Sequence, residues 1–198
     1  MTDSYPRDMT GYGRAWPTTR WPGGARIAVQ FVINFEEGAE SNVLHGDPVS
    51  ESLLSEFGFA MPRPDARYKP IESMYEYGTR VGFWRLHRLF TGRGIPITVN
   101  AVAMALERVP DCVAAMVEAD WELSSHGYRW LDYHDVPEEV ERAHIAQVVE
   151  IHERMTGQRP LGCFIGRRSP NTVRLVAEEG GFLYTQDSYA DEVPYWIT

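Results

Sequence analysis

The chain has 198 residues and a formal net charge of −9 at pH 7, with ordinary hydrophobic and charged content. That length suits one domain with a sizeable core. The acidic balance argues against a nucleic-acid partner or an anionic membrane surface, both of which select basic patches. Two cysteines, Cys112 and Cys163, form neither a disulfide framework nor a CxxC metal knuckle. No charged-then-apolar leader opens the sequence and no apolar run approaches membrane-span length, so a cytoplasmic setting is expected.

Residues 1–25 hold Pro6, Pro17, Pro22 and several glycines, and read as an irregular arm before a domain at 26–198. Residues 26–34 carry Ile27, Val29, Phe31, Val32 and Ile33, the pattern of a buried strand. A long connection, 38–70, follows. Within it "PVSESLLSEFG" has the form of a short helix stopped by Gly58. Apolar spacing predicts a helix over 70–94, closed by Gly92 and Gly94, with Tyr75, Tyr77, Phe83 and Trp84 read as core. Gly78 and Gly82 inside it each cost about 1 kcal/mol against alanine and suggest close approach of another element.

"IPITVNAVAM" then reads as a strand, "VPDCVAAMVEAD" as a short helix and "WELSSHG" as a strand. Asp135 and Glu138 have capping-box spacing for a helix over 136–155. "PLGCFIG" is a strand. Ser169 and Pro170 suit the cap and first position of a helix ended by Gly180-Gly181, and "FLYTQDS" is a further strand. This alternation implies β-α-β units and a parallel sheet, open or closed as a barrel, with chemistry at the carboxyl ends of the strands.

Those ends carry Glu36-Glu37, Asn100, His126, Arg167 and Asp187. A sheet with no site needs no such convergence. Taken singly, Glu36-Glu37 fit a solvated strand exit as well as a site, and His126 fits a turn histidine. His45 and Asp187 fit structural or surface positions, and "GRRSPNT" fits helix capping. No Gly-rich phosphate loop and no G-x-S-x-G elbow is present, and Cys163 has no base beside it.

"NFEEG", "SSHGYRW", "GRRSPNT" and "DSYADEVPYW", supported by "YPRDMTGYG", "WPGGARIAVQFV", "ESMYEYGTRVGFWRLHRLF" and "LVAEEGGFLY", resemble the polysaccharide deacetylase (NodB-homology) superfamily. The likeness is greatest to its cofactor-independent allantoinase branch. The resemblance implies an α/β fold, a distorted (β/α) barrel, left incomplete here because the C-terminal strands of longer family members are lacking. The metal-dependent members carry T-F-D-D and H-x-x-x-H motifs. Here these read Asn34-Phe35-Glu36-Glu37 and His126 with Trp130, so an indole stands where the second histidine ligand would be. Indole offers no acceptor lone pair, and catalytic zinc takes three protein ligands plus water. No metal and no cofactor are therefore expected.

The resemblance further implies metal-independent ring opening of allantoin to allantoate. Glu36 would be the base, Glu37 and His126 would handle water or leaving nitrogen, and Arg167 would stabilise the oxyanion. Asn34, His45, Trp130 and Asp187 are assigned to substrate binding. The small-molecule partner would be a cyclic ureide, with no nucleic acid or membrane, and a homo-oligomer is expected. Two alternatives remain: a metal-dependent deacetylase of N-acetyl sugars, and a truncated, inactive family member.

Overall fold

A computed structural model describes residues 7, 9–15, 17–53 and 61–197. It divides into a unit formed from the two chain ends, Met1–Val29 and Asp191–Thr198, and a larger unit, Gln30–Ala190. In the former, the described residues form a 3-10 turn at Pro22–Gly24, and the Tyr12 hydroxyl donates to Asp191.

The larger unit is built on a five-stranded parallel sheet in the order β1-β4-β5-β6-β7: β1 Val32–Phe35, β4 Thr98–Ala101, β5 Glu122–Ser125, β6 Gly162–Cys163 and β7 Tyr184–Thr185. Register aligns Asn34 with Asn100 and Ser124. The helices between are α1 Lys69–Tyr77, α2 Phe83–Thr91, α3 Ala103–Arg108, α4 Pro110–Glu118, α5 Glu138–Thr156 and α6 Thr172–Glu179. The expected parallel α/β architecture is present. Among the described residues no helix is long and apolar enough to cross a membrane.

The two faces of the sheet differ because side chains alternate along each strand. Ile33, Phe35, Ile97, Val99, Ala101 and Leu123 point to the helices and join Phe83, Leu106, Met116 and Trp121 in the main core. Phe83 is its hub, edge-on to Phe35, Trp84 and Trp121 at centroid distances of 5.8, 5.0 and 6.3 Å. Burial of each such ring contributes on the order of 2–3 kcal/mol. The intervening residues form polar rows instead. Gln30 donates to Thr98 (3.0 Å), and Thr98 and Tyr184 both donate to Glu122 (2.7 Å each). Nearer the carboxyl ends, Gln186 donates to Asn100 and Asn100 to Asn34, both at 3.3 Å.

Several elements depart from the sequence reading. The first strand begins at Val32, and Ile27 and Val29 are exposed. Carrying the β1–β4 register back sets Pro96 opposite Gln30, and proline has no N–H for the ladder. The stretch read as one strand through Met104 turns after Ala101 into α3, which the sequence reading missed. The expected helix 70–94 is interrupted by a wider π-turn, Gly78–Gly82, and Tyr77 is exposed rather than core. The helix suggested for 48–58 is not found over 48–53, where Val49–Ser50 pair as β2 with β3, Arg63–Pro64; its remainder, 54–58, lies outside the described residues.

Of the two expected caps, the one at Asp135 is not used, whereas Ser169 Oγ accepts from the Asn171 N–H at 2.9 Å, the bond an N-cap makes. The helix α5 starts at Glu138 behind Pro137 with no side-chain cap, and α6 starts at Thr172, two residues after Pro170. Ser169 also donates to Glu141 at 2.6 Å, and Thr172 donates to the same buried carboxylate. The α6 entrance is thereby tied to α5.

Candidate active site

Glu36 follows the end of β1 and His126 the end of β5. The backbone N–H of His126 donates to Ala101 at 2.9 Å, extending the ladder by one residue and fixing the imidazole over the strand ends. His126 is 3% exposed. Its Nδ1 lies 2.6 Å from the Phe164 carbonyl and its Nε2 lies 3.0 Å from Glu36 Oε1. A carbonyl only accepts, so Nδ1 carries a proton. Nε2 and a carboxylate oxygen form a hydrogen bond only with a second proton between them. The pair is thus either imidazolium with carboxylate or imidazole with carboxylic acid. The Phe164 ring stacks on the imidazole, 5.0 Å between centroids and 4° from parallel.

Glu37 does not share that opening. The chain breaks from the strand at Glu36–Gly38, where Ala39 N–H bonds back to Glu36 O and Gly38 sits at φ +83°. The Glu37 side chain folds back so that Oε2 accepts from the Glu36 N–H at 3.0 Å. Its other oxygen lies against Gly78: a Cβ there would meet Oε1 at 2.1 Å. This is the close approach that Gly78 predicts; Gly82 meets only Tyr77 of the preceding turn, at ordinary contact distance. Burial pushes the Glu37 carboxyl up from 4.5 to about 7, and the neighbouring Glu36 charge is a smaller cause. The mutual repulsion that adjacent carboxylates suggest is therefore secondary to desolvation.

A folded chain that holds this proton to about pH 7, when an unfolded glutamic acid releases it near 4.5, binds more protons across that window. Its stability accordingly falls as pH rises through the window. Glu37→Gln is expected to flatten this slope, checked by thermal melts between pH 4 and pH 8.

Arg167 lies beyond β6 with its guanidinium carbon 3.9 Å from the centroid of the Trp130 ring. Its Nη2 donates to Trp130 O at 3.1 Å and to the buried Glu51 at 3.3 Å. Trp130 is fixed by its own N–H to Ala39 O at 3.1 Å and is 7% exposed. Tyr75 of α1 feels Glu40, Glu51, Glu36 and Arg167 together; burial first, then the three carboxylates, push its phenol up. Glu51, which holds Arg167, is a residue that the sequence reading missed; in an irregular loop, it carried no signal.

A family model described as Polysaccharide deacetylase matches residues 63–184. The chain belongs to the polysaccharide deacetylase family. A crystal structure of PuuE allantoinase is 53% identical, with 98% of this chain and 64% of that chain covered and a TM-score of 0.94. A structure from Pseudomonas aeruginosa PAO1, provisionally described as a polysaccharide deacetylase, gives the same identity, coverage and TM-score. A Schizosaccharomyces pombe protein, provisionally named a polysaccharide deacetylase, is 40% identical over 96% of this chain and 62% of its own length. The chain spans just under two thirds of the length of these relatives.

Metal-dependent members of this deacetylase family would place a cation among the residues after β1 and β5. Those residues do not fit one here. Nε2 of His126, the nitrogen left free for a cation by the Nδ1–carbonyl bond, is taken up by Glu36, Glu37 is folded onto backbone, and Trp130 lies beneath Arg167. Among the described residues no three His, Cys, Asp or Glu side chains are grouped to share a metal ion.

The remaining sequence candidates fall in different surroundings. Asn34 is exposed at the end of the polar row, bonded to Asn100. His45 has Nδ1 3.1 Å from Glu40 O and 3.0 Å from Arg129 Nη2, and Nε2 3.0 Å from Arg108 Nη2. Burial and then Arg129 and Arg108 hold its pKa below the ordinary value. Asp187 is 2% exposed and faces backbone: it accepts from Ile165 N–H (2.9 Å) and Gly166 N–H (2.8 Å). It holds the turn that carries both the Phe164 carbonyl and Arg167.

Proposed function

We propose that this chain carries the catalytic residues of a ring-opening amide hydrolase that converts allantoin to allantoate without a bound metal. The observation that carries the reading is the relay Phe164 O, His126, Glu36, in which the histidine is oriented by a carbonyl and paired with a carboxylate. The 53% identity to PuuE allantoinase supports the choice of substrate.

With the shared proton on imidazole, Glu36 is a carboxylate whose Oε2 takes a proton from a water attacking a ring carbonyl. The water oxygen bonds to carbon, and the tetrahedral oxyanion collapses with cleavage of the ring C–N bond. Glu36 returns its proton to the departing nitrogen, so atoms and charge balance. The imidazolium steadies the carboxylate in the correct orientation, and Arg167 supplies positive charge near the developing oxyanion. Glu37 acts through position: it accepts from the Glu36 N–H and sets the turn that aims Glu36.

The test is incubation of the purified protein with allantoin, with and without chelator, followed by assay of allantoate. Equal turnover in both is expected. The second reading, deacetylation of N-acetyl sugars, draws on the provisional names of the S. pombe and P. aeruginosa relatives. Chelator-sensitive acetate release from such a sugar, with no allantoin opening, would replace the first reading by the second.

A further inference from the structure

We infer that Gln186 is a specificity-determining residue of this site. With Asn100 and Asn34 it forms a row of side-chain amides that holds the ureido arm of the substrate while the ring carbonyl lies at Glu36. The inference rests on the ring-opening reading and adds to it the group that recognises the arm.

Backbone geometry puts Gln186 at the site. Four parallel ladder bonds close the carboxyl ends of the strands: Val102 N–H to Phe35 O (2.9 Å), His126 N–H to Ala101 O (2.9 Å), Phe164 N–H to Ser125 O (2.8 Å) and Gln186 N–H to Cys163 O (2.9 Å). They set Glu36, His126, Phe164 and Gln186 on one level, each the first residue past its strand. Tyr184, two residues back, bonds to Glu122 on the polar face of the sheet, so alternation turns Gln186 to that face too. Its Nε2 donates to Asn100 Oδ1 at 3.3 Å, joining the end of β7 to β4 although two strands separate them in the sheet. The sheet therefore curls around its polar face, and the Gln186 side chain spans the inside of the curl. Asn100 donates on to Asn34 Oδ1 at 3.3 Å. Asn34 is two residues before Glu36, and Ser124, at the same register level, is two before His126. Two strand residues rise about 7 Å. The row thus lies one layer beneath the Glu36–His126 pair, on the same face.

Chemistry selects the occupant. When each amide gives one N–H to the next carbonyl, the row ends in an unused N–H₂ at one end and an unused C=O at the other. Here the ends are Asn34 Nδ2 and Gln186 Oε1, and among the described residues neither has a hydrogen-bond partner. Asn34 is exposed and Gln186 partly so, while Asn100 between them is 1% exposed and is the fixed link. The row carries no charge. It suits a neutral group that both donates and accepts, as a ureido arm, –NH–CO–NH₂, does. An acetyl group satisfies the donor end but sets a methyl against the acceptor, forfeiting that hydrogen bond. A hydantoin ring without the arm engages neither end.

The test uses two ligands on the purified protein: KM for allantoin, and Ki for hydantoin, the same ring without the arm, as a competitor. Gln186→Met keeps the length of the side chain and removes its amide. Asn34→Ala removes the other end of the row at an exposed position. Each is expected to raise KM for allantoin by about 5-fold, the loss of one neutral hydrogen bond, with kcat and the hydantoin Ki close to wild type. A wild-type KM in both variants would overturn the inference and leave ring opening standing. A parallel rise of the allantoin KM and the hydantoin Ki would also overturn it, because a row that only braces the strands affects both ligands alike. If Gln186→Met does not fold, Asn34→Ala decides by the same comparison. Failure of the wild-type protein itself to open allantoin would remove the ring-opening reading, and this inference with it.

Discussion

Glu36→Gln is expected to lower kcat for allantoin by between about 10²- and 10⁴-fold, the range that a positioned general base supplies. The substitution is close to isosteric, and its amide N–H₂ can still donate to His126 Nε2 once the imidazole is neutral. The relay geometry, 3.0 Å from Nε2 and 2.6 Å from Nδ1 to Phe164 O, can therefore persist. What is lost is the ability to take a proton from water. KM should change little, since an uncharged amide of the same shape still fills the turn. Steady-state kinetics on the purified variant, with a melt to show that it folds, check this. Turnover at the wild-type rate would move the base elsewhere, and a large KM change at constant kcat would recast Glu36 as a binding group.

The relay was partly legible before the structure. Runs such as Ile33–Phe35 and Ile97–Ala101 announce strands. A parallel α/β sheet concentrates polar groups at its strand ends, so Glu36 and His126 could be singled out from sequence. Their partners could not be. The acceptor that orients His126 is a main-chain carbonyl at Phe164, and any residue type would supply it. Glu37 looked like a twin of Glu36, because sequence adjacency does not record which way a chain turns. The turn at Gly38 and the absence of a Cβ at Gly78 send it to backbone, and burial rather than its neighbour sets its protonation. Ser169 shows the same limit: it has the local signature of an N-cap and accepts from the Asn171 N–H, but its own proton goes to Glu141 on another helix, a partner that no local rule names. Local rules identify which groups need partners, and tertiary packing decides which partners they get.

That distinction bears on Asp187, which the family resemblance assigns to substrate and the structure turns toward two N–H groups. Asp187→Ala would leave the Ile165 and Gly166 donors without acceptors in a place where the carboxylate is 2% exposed. Bonds to a charged acceptor contribute about 1.5–3 kcal/mol each, and an orphaned buried donor adds its own desolvation cost. A net loss of about 3 kcal/mol corresponds to a fall in melting temperature of roughly 6–12 °C for a chain of this size. The same turn carries Phe164 O and Arg167, so loosening it should misalign His126 and the cation together. Displacements near 1 Å cost on the order of 100-fold in rate. The expected result is thus a double loss, in melting temperature and in kcat measured well below the melt. An unchanged melting temperature with reduced turnover would instead put Asp187 on the substrate. Asp187→Asn sharpens the contrast: it keeps one acceptor oxygen but points an N–H₂ at one of the two backbone donors. On the turn-anchor account it should therefore also melt below wild type, although a substrate contact through the remaining oxygen would survive.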